Sequence, residues 1–146
     1  RAAGGGLFGG PGPIHGEHAH DLVLAEDGHR THHVKTGQAA LALAQAEAFD
    51  LLIVSLHLGQ EDGLRLCSQF RSQDDTRHVP ILLLLDEEDL PRLPKGLEIG
   101  VTDYLIKPID RNELRARTRT QIRRRRYHDK LREMLQRSVA LAYTDT

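Results

Sequence analysis

Ser55 is the residue of this chain best placed to do chemistry. It ends a short apolar run, Leu51 to Ser55, that is bounded by Asp50 and by the polar loop Gly59-Gln-Glu-Asp-Gly63. A hydroxyl at the carboxyl end of a parallel strand sits where open α/β sheets form their ligand crevice. As a nucleophile or phosphoacceptor it needs a base and, for phosphoryl transfer, a cation to balance charge. Neither is evident beside it, so the residue reads first as a polar strand end. Lys107, just before Pro108, is the second candidate: its ammonium can pack, hydrogen bond near Ser55, or bind a free anion. A third group, His15, His18, His20, His29, His32 and His33, crowds one region. Histidine tracts bind transition metals when their nitrogens converge, but neither a matching cysteine nor a firm ligand spacing is present, so solvated or partly packed side chains are expected.

The fourth group is basic. Arg111, Arg115, Arg117, Arg119, Arg123 to Arg126, Lys130 and Arg132 crowd the last third of the chain, while Leu114, Ile122, Leu131, Leu135 and Val139 supply an interrupted apolar seam. Phosphate contacts to nucleic acid are one reading of such a run. No set of stacking aromatics interleaves it, Tyr127 standing alone, so a helix that pairs with a second copy is the preferred reading.

The elements that must position these residues alternate. Leu51–Ser55 and Ile81–Leu85 are too short and too uniformly apolar for amphipathic helices and read as strands buried on both faces. Tyr104 to Ile106 is the last strand. Thr36 caps a helix with Ala39, Ala40, Leu43 and Ala46 as its stripe, and Asp62-Gly63 opens another with Leu64, Cys67 and Phe70 on one face and Arg65, Gln69 and Arg71 on the other. Pro91 and Pro94 restrict the next helix to a short piece ended by Gly100. From Asp110 onward neither glycine nor proline interrupts the chain, which predicts one long helix. The first third is less legible: a strand around Leu7 and Phe8, either helix or strand at Leu22 to Leu24, and a strand within His29 to Lys35. Strand–helix alternation implies a parallel sheet covered on both sides.

Composition excludes several classes. With 146 residues the chain is the size of one domain, and a net charge of -1 argues against a generally cationic nucleic-acid binder. The single cysteine, Cys67, cannot form an internal disulfide and reads as a buried structural thiol in a reducing, cytoplasmic setting. No run approaches the roughly 20 apolar residues of a membrane span. The start at Arg1 and the end inside a helical pattern suggest a piece of a longer protein.

Asp50-Leu-Leu-Ile-Val, Glu61-Asp-Gly-Leu64, Pro80 to Leu85 and Gly96 to Asp110, with its Lys107-Pro108, together resemble a response-regulator receiver domain. Leu97 to Asp103, Lys107 to Asp110, Thr120 to Tyr127 and Tyr143-Thr-Asp145 are more narrowly similar to the second, adaptor receiver of PleD-type diguanylate cyclases. The resemblance implies a flavodoxin-like, CheY-like doubly wound five-stranded sheet of order 2-1-3-4-5 with an extended C-terminal helix. It implies a cis peptide at Lys107-Pro108. It divides the chain into a Gly/Pro-rich linker or weak first strand at 1–16, a degenerate receiver at 17–120, and a helical linker at 121–146 leading to a downstream GGDEF domain.

In receivers an aspartate at the third-strand end accepts a phosphoryl group, and that position is Ser55. The phosphate-sensing hydroxyl of the fourth strand is replaced by Leu85. Lys107 remains, and Tyr104 stands at the switch aromatic. The acidic pair that binds Mg²⁺ is missing between Gly10 and Ile14, and Glu26-Asp27 lie too close to the next elements, so loss of the Mg²⁺ site is expected. The resemblance therefore implies a non-enzymatic fragment of a cyclase parent, acting as an adaptor in two-component signalling. Its homodimer would use the face of the fourth helix, fifth strand and fifth helix, with Leu97, Asp103, Arg111, Arg115 and Arg119, together with the C-terminal helix. A preceding receiver in the same chain and a cyclic di-GMP contact at Arg30 also belong to this expectation. The competing readings are a phosphoacceptor that uses an atypical acid and a nucleic-acid module built on the basic helix.

Overall fold

Leu51–Ser55 and Ile81–Leu85 are buried at every position, as uniformly apolar strands must be when helices cover both faces. The computed structural model describes the backbone at residues 2–4 and 24–144 and the side chains at residues 24–140. One sheet holds β1 (Ala2–Gly4), β2 (Thr31–His32), β3 (Leu51–Ser55), β4 (Ile81–Leu85) and β5 (Asp103–Ile106), all parallel, in the order β2-β1-β3-β4-β5. This is the expected 2-1-3-4-5 order. The expected strand around Leu7 and Phe8 lies outside the described residues; the first strand of the sheet is Ala2–Gly4, which pairs Ala2 with both Thr31 and Leu51. The second strand is shorter than the predicted span. Residues 24–26 are helical (α1), so Leu24 belongs to a helix end and is 1% exposed.

The remaining helices are α2 (Gly37–Ala46), α3 (Gly63–Ser72), α4 (Leu93–Ile99) and α5 (Arg111–Thr144). Thr36 caps α2 by accepting from the Ala39 amide, and Asp62 caps α3 by accepting from Leu64. Pro91 lies in a 3₁₀ turn, Glu87–Arg92, and Pro94 lies at the start of α4, where a missing amide costs nothing. The buried side of α2 is Gly37, Ala40 and Ala44; Ala39 and Ala46 of the predicted stripe face solvent. Lys107-Pro108 is cis.

Side chains alternate across each strand, and two cores result. Leu52, Val54, Ile81, Leu83 and Leu85 join Leu64, Cys67 and Phe70 of α3 on one side. Leu51, Ile53, Leu82, Leu84 and Leu105 join Leu24, Leu114 and Ile122 on the other. Burial pushes the Cys67 thiol up to about 12, so it is inert at neutral pH, in keeping with a structural role. Arg71, expected on the solvent side of α3, instead turns inward: it donates to the carbonyls of Gly100, Thr76 and Val79 and closes the α3–β4 and α4–β5 connections.

The long helix divides into two parts. Leu114, Thr118, Gln121 and Ile122 are buried against the sheet, whereas Tyr127, Leu131, Met134, Leu135 and Val139 are exposed. The interrupted apolar seam thus falls into two parts: Leu114 and Ile122 are core, whereas Leu131, Leu135 and Val139 are exposed.

Candidate functional site

Three neighbouring strands end together at the carboxyl edge of the sheet. Ser55 is in register with Leu84, and the Lys107 amide donates to the Leu85 carbonyl at 2.8 Å, which brings Ser55, Leu85 and Lys107 to adjacent strand ends. Ser55 is 6% exposed and lies on the same strand face as Leu51 and Ile53. Behind it the chain doubles back tightly: the Gly63 amide donates to the Leu56 carbonyl at 2.7 Å, and a Cβ on Gly63 would stand 2.1 Å from the Ser55 carbonyl oxygen. Only glycine permits α3 to start this close to β3. Leu85 is buried, and Tyr104 packs partly buried against the α3-side core. The Lys107 side chain, half-buried, makes no hydrogen bond or ion pair with the described residues, Ser55 included. The edge therefore brings together a hydroxyl, a leucine and one ammonium.

A divalent cation at this edge would require converging carboxylate oxygens. Glu26 and Asp27 do not supply them. Glu26 pairs with Arg115 at 2.6 Å and with Arg111 at 3.6 Å, and Asp27 receives both an Nε and an Nη2 hydrogen bond from Arg119. The Arg119 hydrogen bond holds the Asp27 carboxyl below its ordinary range. Residues 5–23, which include the expected acid-free loop and His15, His18 and His20, lie outside the described residues. Among the described residues, the one group of ligating atoms close enough to share an ion is His57, Asp86 and Asp89, all within 4.8 Å of one another. The sequence hid this group, because His57 is 32 residues from Asp89 and only the return of β4 beside β3 joins them at 3.0 Å. Asp86 and Asp89 are already engaged in a capping box on the 3₁₀ turn. Of the histidine tract, His32 stacks edge-on against Phe49 and His29 lies 3.6 Å from Asp27. Neither belongs to a three-ligand group.

The five residues expected on the interaction face divide between two surfaces. Leu97, 50% exposed on α4, and Asp103 of β5 belong to the α4–β5–α5 side. Arg111, Arg115 and Arg119 recur every four residues, share one side of α5, and that side is turned to the α1 end and its acids. The arginine that does reach Asp103 is Arg117, which the sequence reading left among the general basic run. Its signal was available: Arg117 is four residues from Glu113 and on the opposite side of the helix from Arg115 and Arg119. Arg30 is exposed before β2 and has no partner among the described residues.

No described helix is long and apolar enough to cross a membrane. The response regulator receiver domain model matches residues 17–119. Response regulator PleD of Caulobacter vibrioides is 49% identical over 96 residues, which cover 66% of this chain and 21% of that protein. Transcriptional regulatory protein PcoR of Escherichia coli is 37% identical over 103 residues, 70% of this chain and 45% of its own length. The chain thus spans less than half of either relative. Among solved structures, chemotaxis response regulator CheY4 of Vibrio cholerae superposes with a TM-score of 0.63 at 25% identity, covering 70% of this chain and 85% of that one. The receiver domain of sensor histidine kinase PA1611 from Pseudomonas aeruginosa, solved with magnesium in its active-site cleft, has a TM-score of 0.63 at 28% identity and covers 70% and 84%. By its parallel sheet order, its strand-end lysine and these matches, the chain belongs to the response regulator receiver domain family.

Proposed function

We propose that this chain is a degenerate receiver that works as an adaptor without being phosphorylated, in a cytoplasmic two-component regulator whose output is a GGDEF diguanylate cyclase. The observation that carries the reading is Ser55, a hydroxyl at the third-strand end, where receivers carry the carboxylate that accepts a phosphoryl group. The Ser55 hydroxyl has no hydrogen bond to a base among the described residues, which makes it a poor acceptor, and Leu85 offers no hydroxyl to sense an acquired phosphate. The similarity to PleD supports the cyclase context. With the edge chemically idle, the fold acts through its surfaces: residues 17–120 dimerise and residues 121–146 carry the geometry onward as a helical linker, with 1–16 as a leading segment. The α4–β5–α5 side, with Leu97 and Asp103, is the dimer face, and the exposed stretch of α5 beyond Arg126 pairs with its copy. Arg30 is the contact proposed for cyclic di-GMP feedback.

Incubation with acetyl phosphate and Mg²⁺ followed by intact-mass measurement tests the reading. No phosphoryl adduct is expected. An adduct would establish the alternative, a phosphoacceptor that uses an atypical acid.

A further inference from the structure

At the end of the sheet opposite Ser55, a cavity of about 330 Å³ lies between the amino ends of β4 and β5 and the outer part of α5. Its volume falls in the range of small-molecule sites. Four guanidinium groups line it, from Arg71, Arg124, Arg125 and Arg132, against a single carboxylate, Asp129. That carboxylate is taken by Arg125, whose Nε lies 3.2 Å from it and whose Nη1 donates to the His78 carbonyl. The Arg71 donors go to neutral carbonyls, so its charge is fixed in place and uncompensated. Arg124 and Arg132 have no carboxylate partner among the described residues. The wall residue His78 is held below its ordinary imidazole range by burial and then by Arg132, Arg77, Arg125 and Arg71, which places the cavity in a positive field.

A second observation points inward. Gln121 is 2% exposed, lines this cavity, and makes no side-chain hydrogen bond to any described residue. Its amide end is not buried away from solvent, so the donors and acceptor of Gln121 open into the cavity and are free to meet a ligand.

We propose that this cavity binds a compact phosphate-bearing small molecule with at least two negative charges, held by Arg124, Arg132 and the Gln121 amide over the fixed charge of Arg71. Charge-assisted hydrogen bonds from arginine forks suit phosphate oxygens. The cations converge on one cavity instead of following a track, as a duplex backbone would require, and this favours a small anion over nucleic acid. Arg124 and Arg132 sit where α5 leaves the domain, so a bound anion would fasten the exit of the linker helix to the floor of the sheet. The proposal does not depend on whether Ser55 is phosphorylated.

Titration calorimetry with inorganic pyrophosphate in low salt is the test, with the Gln121 side-chain amide signals followed by heteronuclear NMR. Saturable binding is expected, weakening as salt rises, with a shift of the Gln121 signals. Arg124→Gln and Arg132→Gln should each weaken it about tenfold, since each removes one charge-assisted contact. Both residues are exposed, so the variants should melt like the parent, and Arg123→Gln, outside the cavity, should bind normally. Absence of saturable binding, unchanged affinity in both variants, or displacement of pyrophosphate by a short DNA duplex that binds more tightly would overturn the proposal.

Discussion

One guanidinium nitrogen of Arg117 lies 3.0 and 2.9 Å from the two carboxylate oxygens of Asp103 and ties α5 to β5 at the rim of the α4–β5–α5 side. On α4 and β5, Leu97 and Ile106 are exposed. If that side is the dimer face, Leu97→Asp should weaken self-association at least about tenfold, because a charge would enter an interface core. Arg117→Ala should cost about 1 kcal/mol of stability, the upper end for a surface ion pair because Asp103 is largely covered, yet disturb the dimer more than the fold. Sedimentation equilibrium measures the first effect and urea unfolding the second. Association that survives Leu97→Asp but is lost in Arg115→Ala would move the interface to the α1 side.

Gly63→Ala tests the close start of α3. A Cβ there would lie 2.1 Å from the Ser55 carbonyl oxygen and 2.8 Å from the Leu56 Cα, both backbone atoms that cannot rotate away. A loss of about 3 kcal/mol or more is expected in denaturant unfolding, comparable to severe overpacking. A variant within 1 kcal/mol of the parent, roughly the size of an ordinary surface change, would mean that the β3–α3 loop is looser than described.

Ser55→Ala should be nearly silent. Ser55 is 6% exposed and its hydroxyl makes no hydrogen bond to the described residues, so removing it should change stability by less than about 1 kcal/mol. Self-association should be unchanged as well. A variant that folds normally but no longer associates would return chemistry to the sheet edge.

Stability should fall in two stages on acidification. His29 is held below its ordinary value of 6.5, mainly by burial, and His78 is shifted in the same direction. The unfolded chain then takes up these protons first, so stability declines as pH drops below about 6.5 and levels off below the folded values. Asp27 is held below its ordinary 3.8, first by the Arg119 hydrogen bond. Its contribution is complete above that value and is lost as pH falls through the lower folded one. Melting temperatures from pH 7.5 to 3 should show both limbs. His29→Gln with His78→Gln should flatten the upper limb, and Arg119→Gln should reduce the lower. A parent profile flat between pH 7 and 5 would contradict the histidine assignment.

Much of this protein was legible in local pattern. Leu51–Ser55 and Ile81–Leu85 could be only two-sided strands, because five apolar residues in a row suit no amphipathic helix. Thr36, Asp62, Gly100 and the uninterrupted stretch after Asp110 marked helix ends through capping and breaker chemistry that acts within a few residues. The residue type at the third-strand end, serine at 55, was readable because a single position carries it. Arg71 was misread, since nothing local distinguishes an arginine on a solvent face from one that reaches the carbonyls of two other loops. The face of Arg111, Arg115 and Arg119 was assigned from the family resemblance, which does not fix how a helix is turned about its axis.

The sequence by itself determined the layered parallel fold, the order of its elements and the residue types at the sheet edge, because periodicity, caps and breakers are properties of neighbours along the chain. Tertiary structure decided which side of α5 meets which acid, that Arg117 and not Arg115 reaches Asp103, and that His57 meets Asp89. It also decided that Arg71, Gln121, Arg124 and Arg132 surround one cavity. These are pairings across tens of residues, set by the rotation of a helix about its axis and by strand register. No local preference encodes either one.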